Sequence, residues 1–273
     1  MPDITSVTND RIKRIKRLMK DRRFRTREGQ FVVEGSRWID EVTRAGIVPD
    51  YWLATENWLE NNMALSIRLT AESQPALTVE PSVLKELADT STPSGVLAVL
   101  PLPRLVWPEE PTFLLCLDQI RDPGNLGTLI RSALAAGVQG MILSPGCVDP
   151  YNPKVVRSSM GAVLRLPIRH AGWADSGKMA ELLGNCQVYL ADMGATVNYT
   201  NVDWQKPSAI MIGSEAIGAD ESAKAIVDQA ISIPMAQATE SLNAGVAGSV
   251  IMFEALRQKM LVEVETEEVD PLD

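Results

Sequence analysis

Histidine and cysteine are scarce among the 273 residues of this sequence, and their scarcity excludes several classes of site. Because His170 is the only histidine, a metal site built from several histidines is excluded, and we expect His170 to be structural. The three cysteines, Cys116, Cys147 and Cys186, form no C-x-x-C pair, which argues against a disulfide framework and a zinc knuckle. We therefore expect buried reduced thiols and no bound metal.

Long apolar runs are also absent. No window approaches the roughly 20 consecutive apolar residues of a membrane-spanning helix, and the N-terminal MPDITSVTNDRIKRIK lacks the apolar core of a secretory signal. The composition, 45% hydrophobic and 22% charged, is typical of a folded protein. The sequence therefore predicts a soluble cytoplasmic protein with no membrane partner, and its length predicts two domains.

Positive charge is concentrated near the N-terminus. The net charge is −9, but residues 11–27 hold ten Lys and Arg against one acid, a local charge of +9, so the rest of the chain carries −18. The helix predicted there keeps one apolar stripe, formed by Ile12, Ile15, Leu18 and Met19. Such a basic surface favours a polyanion such as RNA, and the alternative is a basic arm that pairs with the acidic body of the same protein. The predicted RNA contacts are Arg11, Arg14, Arg22, Arg23, Arg25 and Arg37.

The apolar runs divide the chain into two α/β domains. Residues 1–100 alternate short apolar runs with helical patterns, which predicts a small domain that carries the basic helix. Residues 101–111, PLPRLVWPEEP, contain four prolines and predict a linker. Residues 112–261 are predicted to form a parallel sheet covered by helices, because unbroken apolar runs recur at 113–117, 141–144, 188–191, 209–213 and 231–234. Residues 262–273 predict a frayed acidic tail.

Three segments that follow predicted strands carry unusual residues, and ligands of open parallel sheets bind at such strand ends. In residues 117–137 we expect Asn125 to cap a helix that carries Arg131, whose guanidinium suits a phosphate. The glycines there lack the G-x-G-x-x-G spacing of a dinucleotide-binding metabolic enzyme, which is the weakest alternative function.

The other two segments are rich in small residues. Residues 211–220 combine a buried strand with glycines that allow a ligand to approach the backbone closely. In residues 231–258 we expect Ser241 to be the N-cap of a helix. Gly245 and Gly248 lie inside that helix, where glycine is unfavourable, which indicates close packing against backbone or a ligand.

The segments NLGTLIRSALAAG, IGSEAIG and IPM followed by SLNAGVA resemble, in this order, the motifs of the SpoU or TrmH-like RNA 2′-O-ribose methyltransferases of the SPOUT superfamily. The resemblance covers about residues 113–260, and FVVEGSRWIDEVTRAG with STPSGVLAVL resembles the substrate-binding domain that often precedes the catalytic domain. It implies an α/β fold in which a SPOUT domain with a parallel sheet and a C-terminal trefoil knot follows a small L30e-like α/β domain. In one departure, Gly245 stands where the family commonly has the serine of N-V-S-V-A.

The resemblance also implies a cofactor site. S-adenosylmethionine would be held in a bent shape by the loops at 190–193, 213–215 and 233–242. The predicted contacts are Gly213, Ile233, Leu242, Ala191, Ser214 and Met235.

The catalytic residues follow from the same resemblance. Arg131 matches the motif-one arginine, which would clamp a phosphate or, less readily because a neutral guanidine is costly near pH 7, act as a general base. Asn125 would orient Arg131 or the ribose, and Glu215 would hold the arginine or order the motif loops. Ser241 and Asn243 would complete a hydrogen-bonded wall. The alternatives are helix capping for Ser241 and an ordinary ion pair for Glu215.

The sequence therefore predicts a methyltransferase that acts on a ribose 2′-hydroxyl with S-adenosylmethionine as cofactor, in ribosomal RNA by analogy with the extra domain. The resemblance implies a homodimer with the substrate site near the subunit interface. Two alternatives stay open. The first is a non-catalytic RNA-binding or ribosome-assembly factor on the same fold, motivated by the altered Ala244–Gly245 pair. The second is a transfer-RNA 2′-O-methyltransferase.

Overall fold

The structure, a computed structural model, describes residues 2–87, 93–214, 218–236 and 241–267. Its contacts divide the chain into two compact units. The first comprises Met1–Arg104 together with Asp149–Arg165, and the second comprises Leu105–Val148 together with Leu166–Asp273. The chain passes between the units within the predicted linker, but residues 149–165, which the sequence places in the catalytic domain, pack with the N-terminal unit.

The N-terminal part of the chain alternates helices and strands, as predicted. They are α1 (Asp10–Lys20), α2 (Arg22–Glu28), β1 (Gln30–Glu34), α3 (Ser36–Arg44), β2 (Tyr51–Ala54), α4 (Glu56–Asn61), α5 (Met63–Glu72), β3 (Leu77–Thr78), α6 (Pro81–Lys85) and β4 (Val96–Pro101). The strand order within these described residues is β1-β4-β2-β3, with β4 antiparallel to β1 and β2, and β3 parallel to β2.

The apolar stripe of the basic segment docks as predicted, because Ile12, Ile15 and Leu18 are fully buried. The segment forms two helices rather than one. Asp21 separates them, since its extended backbone ends α1 and its carboxylate accepts a hydrogen bond of 3.1 Å from Phe24 N at the start of α2. Its short side chain favours this capping role over a position inside a helix.

The later elements in chain order are β5 (Phe113–Leu117), α7 (Pro123–Ala135), β6 (Gly140–Leu143), α8 (Pro153–Ser158), β7 (Ile168–His170), α9 (Ser176–Leu183), β8 (Gln187–Ala191), β9 (Ser208–Ile212), α10 (Glu221–Lys224), β10 (Gln229–Ile231) and α11 (Ala244–Glu267). The strands form a parallel sheet with the order β10-β8-β9-β5-β6-β7 in the described residues. This confirms the predicted α/β class. Strands β5, β6 and β9 are buried along their whole length, which explains their unbroken apolar runs.

The structure differs from the sequence-based prediction at strand β7 and at the end of helix α11. Strand β7, which ends at His170, was not predicted, because an edge strand that is only partly buried contains no long apolar run. Helix α11 continues to Glu267, into the segment predicted as a frayed tail, while residues 268–273 lie outside the described residues.

Other predictions concern the cysteines and bound partners. All three cysteines are free and buried, as expected. Within the described ranges, no helix is long and apolar enough to span a bilayer. The same residues contain no cluster of three or more His, Cys, Asp or Glu that could bind a metal ion.

Candidate functional site

The carboxyl ends of three neighbouring strands of the second unit, β8, β9 and β10, surround a cavity of about 390 Å³. Helix α11 contributes Ala244 and Ala247 to its wall. All six predicted cofactor contacts line this cavity, and so does Ser241. The lining consists of Leu190, Ala191, Asp192, Met193, Gly194, Ile212, Gly213, Ser214, Gly218, Ala219, Ile231, Ile233, Met235, Ser241, Leu242, Ala244 and Ala247.

Gly213 is required by the tight loop that follows β9. A Cβ atom at this position would overlap the backbone of Gly218 and Ala219. The overlap arises because Ser214 and Gly218 face each other across a bridge, in which Ser214 N donates to Gly218 O at 3.0 Å and Gly218 N donates back to Ser214 O at 2.8 Å. Glycine at position 213 therefore lets its backbone lie against the backbone of Gly218 and Ala219 beside the cavity.

The fold brings together Asn125, in the first turn of α7, and Asn243, which directly precedes α11. Asn243 Nδ2 donates to Asn125 Oδ1 at 2.8 Å, and Asn125 is buried. The predicted caps were wrong at both helices. Asp122 caps α7 by accepting from Asn125 N at 2.8 Å, with Pro123 in the first turn, and Asn243 takes the capping position of α11 by accepting from Val246 N at 3.2 Å.

The remaining predicted catalytic residues are Ser241, Arg131 and Glu215. Because Asn243 fills the capping position of α11, Ser241 is not the N-cap and lies exposed at the cavity instead. Arg131 lies on an exposed part of α7 and makes no ion pair with any residue in the described ranges. Glu215 lies outside the described residues, so its pairing with Arg131 stays a prediction.

Close packing of α11 on α7 explains the two helical glycines. A Cβ at Gly248 would clash with Leu129 Cδ2, and a Cβ at Gly245 would lie 3.3 Å from the Thr128 side chain and 3.1 Å from Asn243 Oδ1. Ser249 Oγ donates to Gly245 O at 2.6 Å and lies 2.7 Å from Ser132 Oγ on α7. Gly245, which stands where the family commonly has a serine, therefore allows close contact between α11 and α7.

The sequence-based prediction missed Asp118, a fully buried carboxylate at the end of β5. Its Oδ1 accepts from Trp173 Nε1 at 2.8 Å, and its Oδ2 accepts from Asp220 N at 2.9 Å. Asp220 follows Ala219, whose backbone lies against Gly213 at the cavity. Asp118 thus fixes one wall of the cavity. An acid directly after an apolar strand, in LDQ, was the available signal.

Asp220 connects the Asp118 carboxylate to helix α10, because its backbone N donates to Asp118 and its side chain caps α10. Hydrogen bonds from Ser222 Oγ and Ala223 N hold the pKa of Asp220 below its usual range. Gln119 Nε2 also donates to Asp220 Oδ2 at 3.3 Å. The loop that closes the cavity is therefore held to the end of β5 by several hydrogen bonds.

The predicted RNA contacts lie in the first unit, and one of them is wrong. Arg11, Arg22, Arg23 and Arg37 are exposed. Arg14 is half-buried, and its Nη2 pairs with Glu28 Oε2 at 2.5 Å. Arg25 is 3% exposed, its Nε lies 2.7 Å from Asp149 Oδ2, and its Nη1 donates to Leu18 O at 2.6 Å. A buried and fully paired guanidinium cannot contact RNA, so Arg25 is structural.

Comparisons with known proteins agree with this geometry. Residues 112–253 match the model of the SpoU rRNA Methylase family, and residues 9–98 match the MRM3-like substrate binding domain. An uncharacterized tRNA/rRNA methyltransferase of Synechocystis is 33% identical over 94% of this chain and 94% of its own length. A 23S rRNA uridine 2′-O-methyltransferase of Streptomyces viridochromogenes is 30% identical, with coverage of 92% and 91%. The crystal structure of the SpoU methyltransferase AviRb from that organism in complex with AdoMet has a TM-score of 0.80, 30% identity and coverage of 92% and 98%.

Proposed function

The chain belongs to the SpoU rRNA methylase family, and we propose that it is an S-adenosylmethionine-dependent enzyme that methylates a ribose 2′-hydroxyl in ribosomal RNA. The observation that carries this proposal is the cavity at the carboxyl ends of β8, β9 and β10. All six residues predicted to contact the cofactor meet there, although they come from three separate segments of the chain.

The cavity fits S-adenosylmethionine in size and chemistry. Its volume of about 390 Å³ lies within the ordinary range of small-molecule sites, roughly 300 to 1,000 Å³. Apolar side chains such as Leu190, Ile212 and Ile231 would enclose an adenine ring, while backbone groups at Gly213 and Leu242 would hydrogen bond to its edge. When bound, this cofactor supplies an activated methyl group on a sulfonium.

The residues of α7 and α11 would prepare the ribose. We assign Arg131 the clamping of a phosphate beside the reacting sugar, because its exposed guanidinium lacks an ion partner in the described residues and a neutral arginine is costly near pH 7. The Asn125–Asn243 pair would orient the ribose, and Ser241 would add a hydroxyl at the cavity. Glu215 would hold Arg131 or order the motif loops.

Finer features of the family are part of the same proposal. The C-terminal segment would form a trefoil knot, and the support is that α11, which follows the edge strand β10, packs on α7 and on the interior strand β9. The N-terminal domain would be L30e-like, in keeping with its match to a substrate-binding domain. The buried reduced thiols fit a cytoplasmic protein.

A homodimer is also proposed. Val246, Phe253 and Met260 recur at seven-residue intervals on α11 and are 47%, 47% and 55% exposed. An apolar stripe of this kind on the catalytic unit is suited to contact a second copy of the chain, which would bring the substrate site near the interface.

The function is tested by mapping 2′-O-methylation in ribosomal RNA from strains with and without the protein. A methylated 2′-oxygen cannot attack the adjacent phosphate, so the target position should resist alkaline hydrolysis only when the protein is present. If radioactive methyl groups from S-adenosylmethionine enter only transfer RNA, the result would favour the alternative, a transfer-RNA 2′-O-methyltransferase. RNA binding without any calorimetric heat for S-adenosylmethionine would favour the non-catalytic factor and contradict the proposal.

A further inference from the structure

One carboxylate stands in the otherwise uncharged wall of the cofactor cavity. Among the described residues that line this cavity, Asp192 is the only acid, and there is no Lys, Arg or His. Such a charge is informative, because the specificity of small-molecule sites comes from a few polar groups placed among apolar ones. The described part of the cavity wall therefore presents negative charge to whatever binds there.

The fold holds Asp192 in place directly after strand β8. Its backbone N donates to Ile231 O of the neighbouring strand β10 at 2.9 Å, so the hydrogen bonding of the sheet continues through this residue. Its Oδ1 accepts from Gly194 N at 2.8 Å, which is the hydrogen bond of an Asx turn. The turn thus occupies one carboxylate oxygen, and no donor among the described residues binds the other.

Lys224 of α10 interacts electrostatically with Asp192 but does not neutralise it. Lys224 Nζ donates to Glu221 Oε1 at 2.8 Å, and this hydrogen bond is the main reason that the pKa of Lys224 is raised. Asp192 contributes less to that rise, and within the described ranges it forms no ion pair of its own. Because Glu221 already pairs with Lys224, the three side chains together remain negative.

We propose that the Asp192 carboxylate makes the cavity selective for S-adenosylmethionine over its product, S-adenosylhomocysteine. This inference rests on the proposed function. Methyl transfer converts the cationic sulfonium into a neutral thioether, because the bonding electron pair stays on sulfur while the methyl joins the 2′-oxygen and the hydroxyl proton passes to water. The two molecules otherwise carry the same charged groups, so a fixed carboxylate attracts the first more strongly than the second. Asp192 thus favours binding of the cofactor and release of the product.

The test measures the calorimetric Kd of the full chain for three ligands: S-adenosylmethionine, S-adenosylhomocysteine and sinefungin, which carries a protonated amine in place of the sulfonium. The variant is Asp192→Asn, because its amide oxygen can still accept from Gly194 N and only the charge is lost. The control is Glu181→Gln, which removes the same charge from an exposed ion pair with Lys178 on α9.

Asp192→Asn should weaken the binding of S-adenosylmethionine and of sinefungin about fivefold, and that of S-adenosylhomocysteine less than about twofold, as expected for loss of one partly screened charge interaction. The control should keep all three wild-type affinities. An equal loss for all three ligands, which a merely structural role of the turn would cause, or no loss for any, would overturn the selectivity but leave the cofactor site standing. Absence of binding of all three ligands to the wild type would overturn both.

Discussion

Replacing Asp118 tests whether the buried carboxylate at the end of β5 maintains the shape of the cofactor cavity. The carboxylate accepts one hydrogen bond from Trp173 Nε1 and one from Asp220 N. A hydrogen bond to a charged group contributes about 1.5 to 3 kcal/mol, so Asp118→Ala should lower the free energy of unfolding by roughly 3 to 6 kcal/mol. Since small domains are stable by about 5 to 15 kcal/mol, this variant would be severely destabilised.

Asp118→Asn is the more informative change, because the amide keeps one acceptor and nearly the same volume. We expect it to lose about half as much stability in urea unfolding and to raise the calorimetric Kd for S-adenosylmethionine about tenfold, which corresponds to about 1.4 kcal/mol. The cofactor effect follows from release of Asp220 N, which lets Ala219 move at the cavity wall.

The control for this prediction is Asp203→Asn, which removes the same charge from an exposed ion pair with Lys206. A double-mutant cycle with Trp173→Phe measures the direct contact, and its coupling energy should be about 1 kcal/mol or more. Wild-type stability together with wild-type cofactor affinity in Asp118→Asn would refute the reasoning.

Four further predictions follow from other contacts. Arg131→Ala should abolish methyl incorporation without changing the Kd for S-adenosylmethionine, and Arg131→Lys should keep partial turnover; full turnover by the alanine variant would contradict the clamping role. Gly213→Ala should weaken cofactor binding at least about tenfold by calorimetry because its Cβ meets backbone, whereas wild-type affinity would show that the loop adapts. Arg25→Ala should lower the free energy of unfolding in urea by about 3 to 5 kcal/mol, because Asp149 loses its ion partner. Wild-type stability, together with RNA binding that depends less steeply on salt concentration, would contradict the structural role of Arg25. Burial raises the pKa of Cys186 to about 11, so a thiol reagent at about pH 8 should label it only after denaturation; rapid labelling of the native protein would disprove the burial.

Much of the fold followed from local patterns. Strands β5, β6 and β9 are buried on both faces, so their apolar runs could be recognised without neighbours. The stripe on α1 was equally plain, because three residues at helical spacing are fully buried. Strand β7 could not be recognised from the sequence, because an edge strand is only partly buried and so requires few apolar residues.

The helix ends were less predictable. Ser241 and Asn243 both suit an N-cap, and only the path of the chain into α11 decides that Asn243 accepts from Val246 N. The same holds for Asp122 and Asn125 at α7, where the choice depends on which residue leaves the helical conformation first.

The sequence by itself determined the class of fold and the concentration of positive charge near the N-terminus, and its resemblance to a family indicated the segments that line the cavity. The periodicity of apolar residues and the charge are local properties, so they can be recognised from neighbouring residues. The tertiary structure decided which charges are available. Arg25 belongs to the basic cluster in sequence, but Asp149 approaches it from 124 positions away and removes it from the surface. The same long-range packing carries Lys154 and Arg165 into the N-terminal unit, because side chains far apart in sequence can be paired or exposed only by the fold.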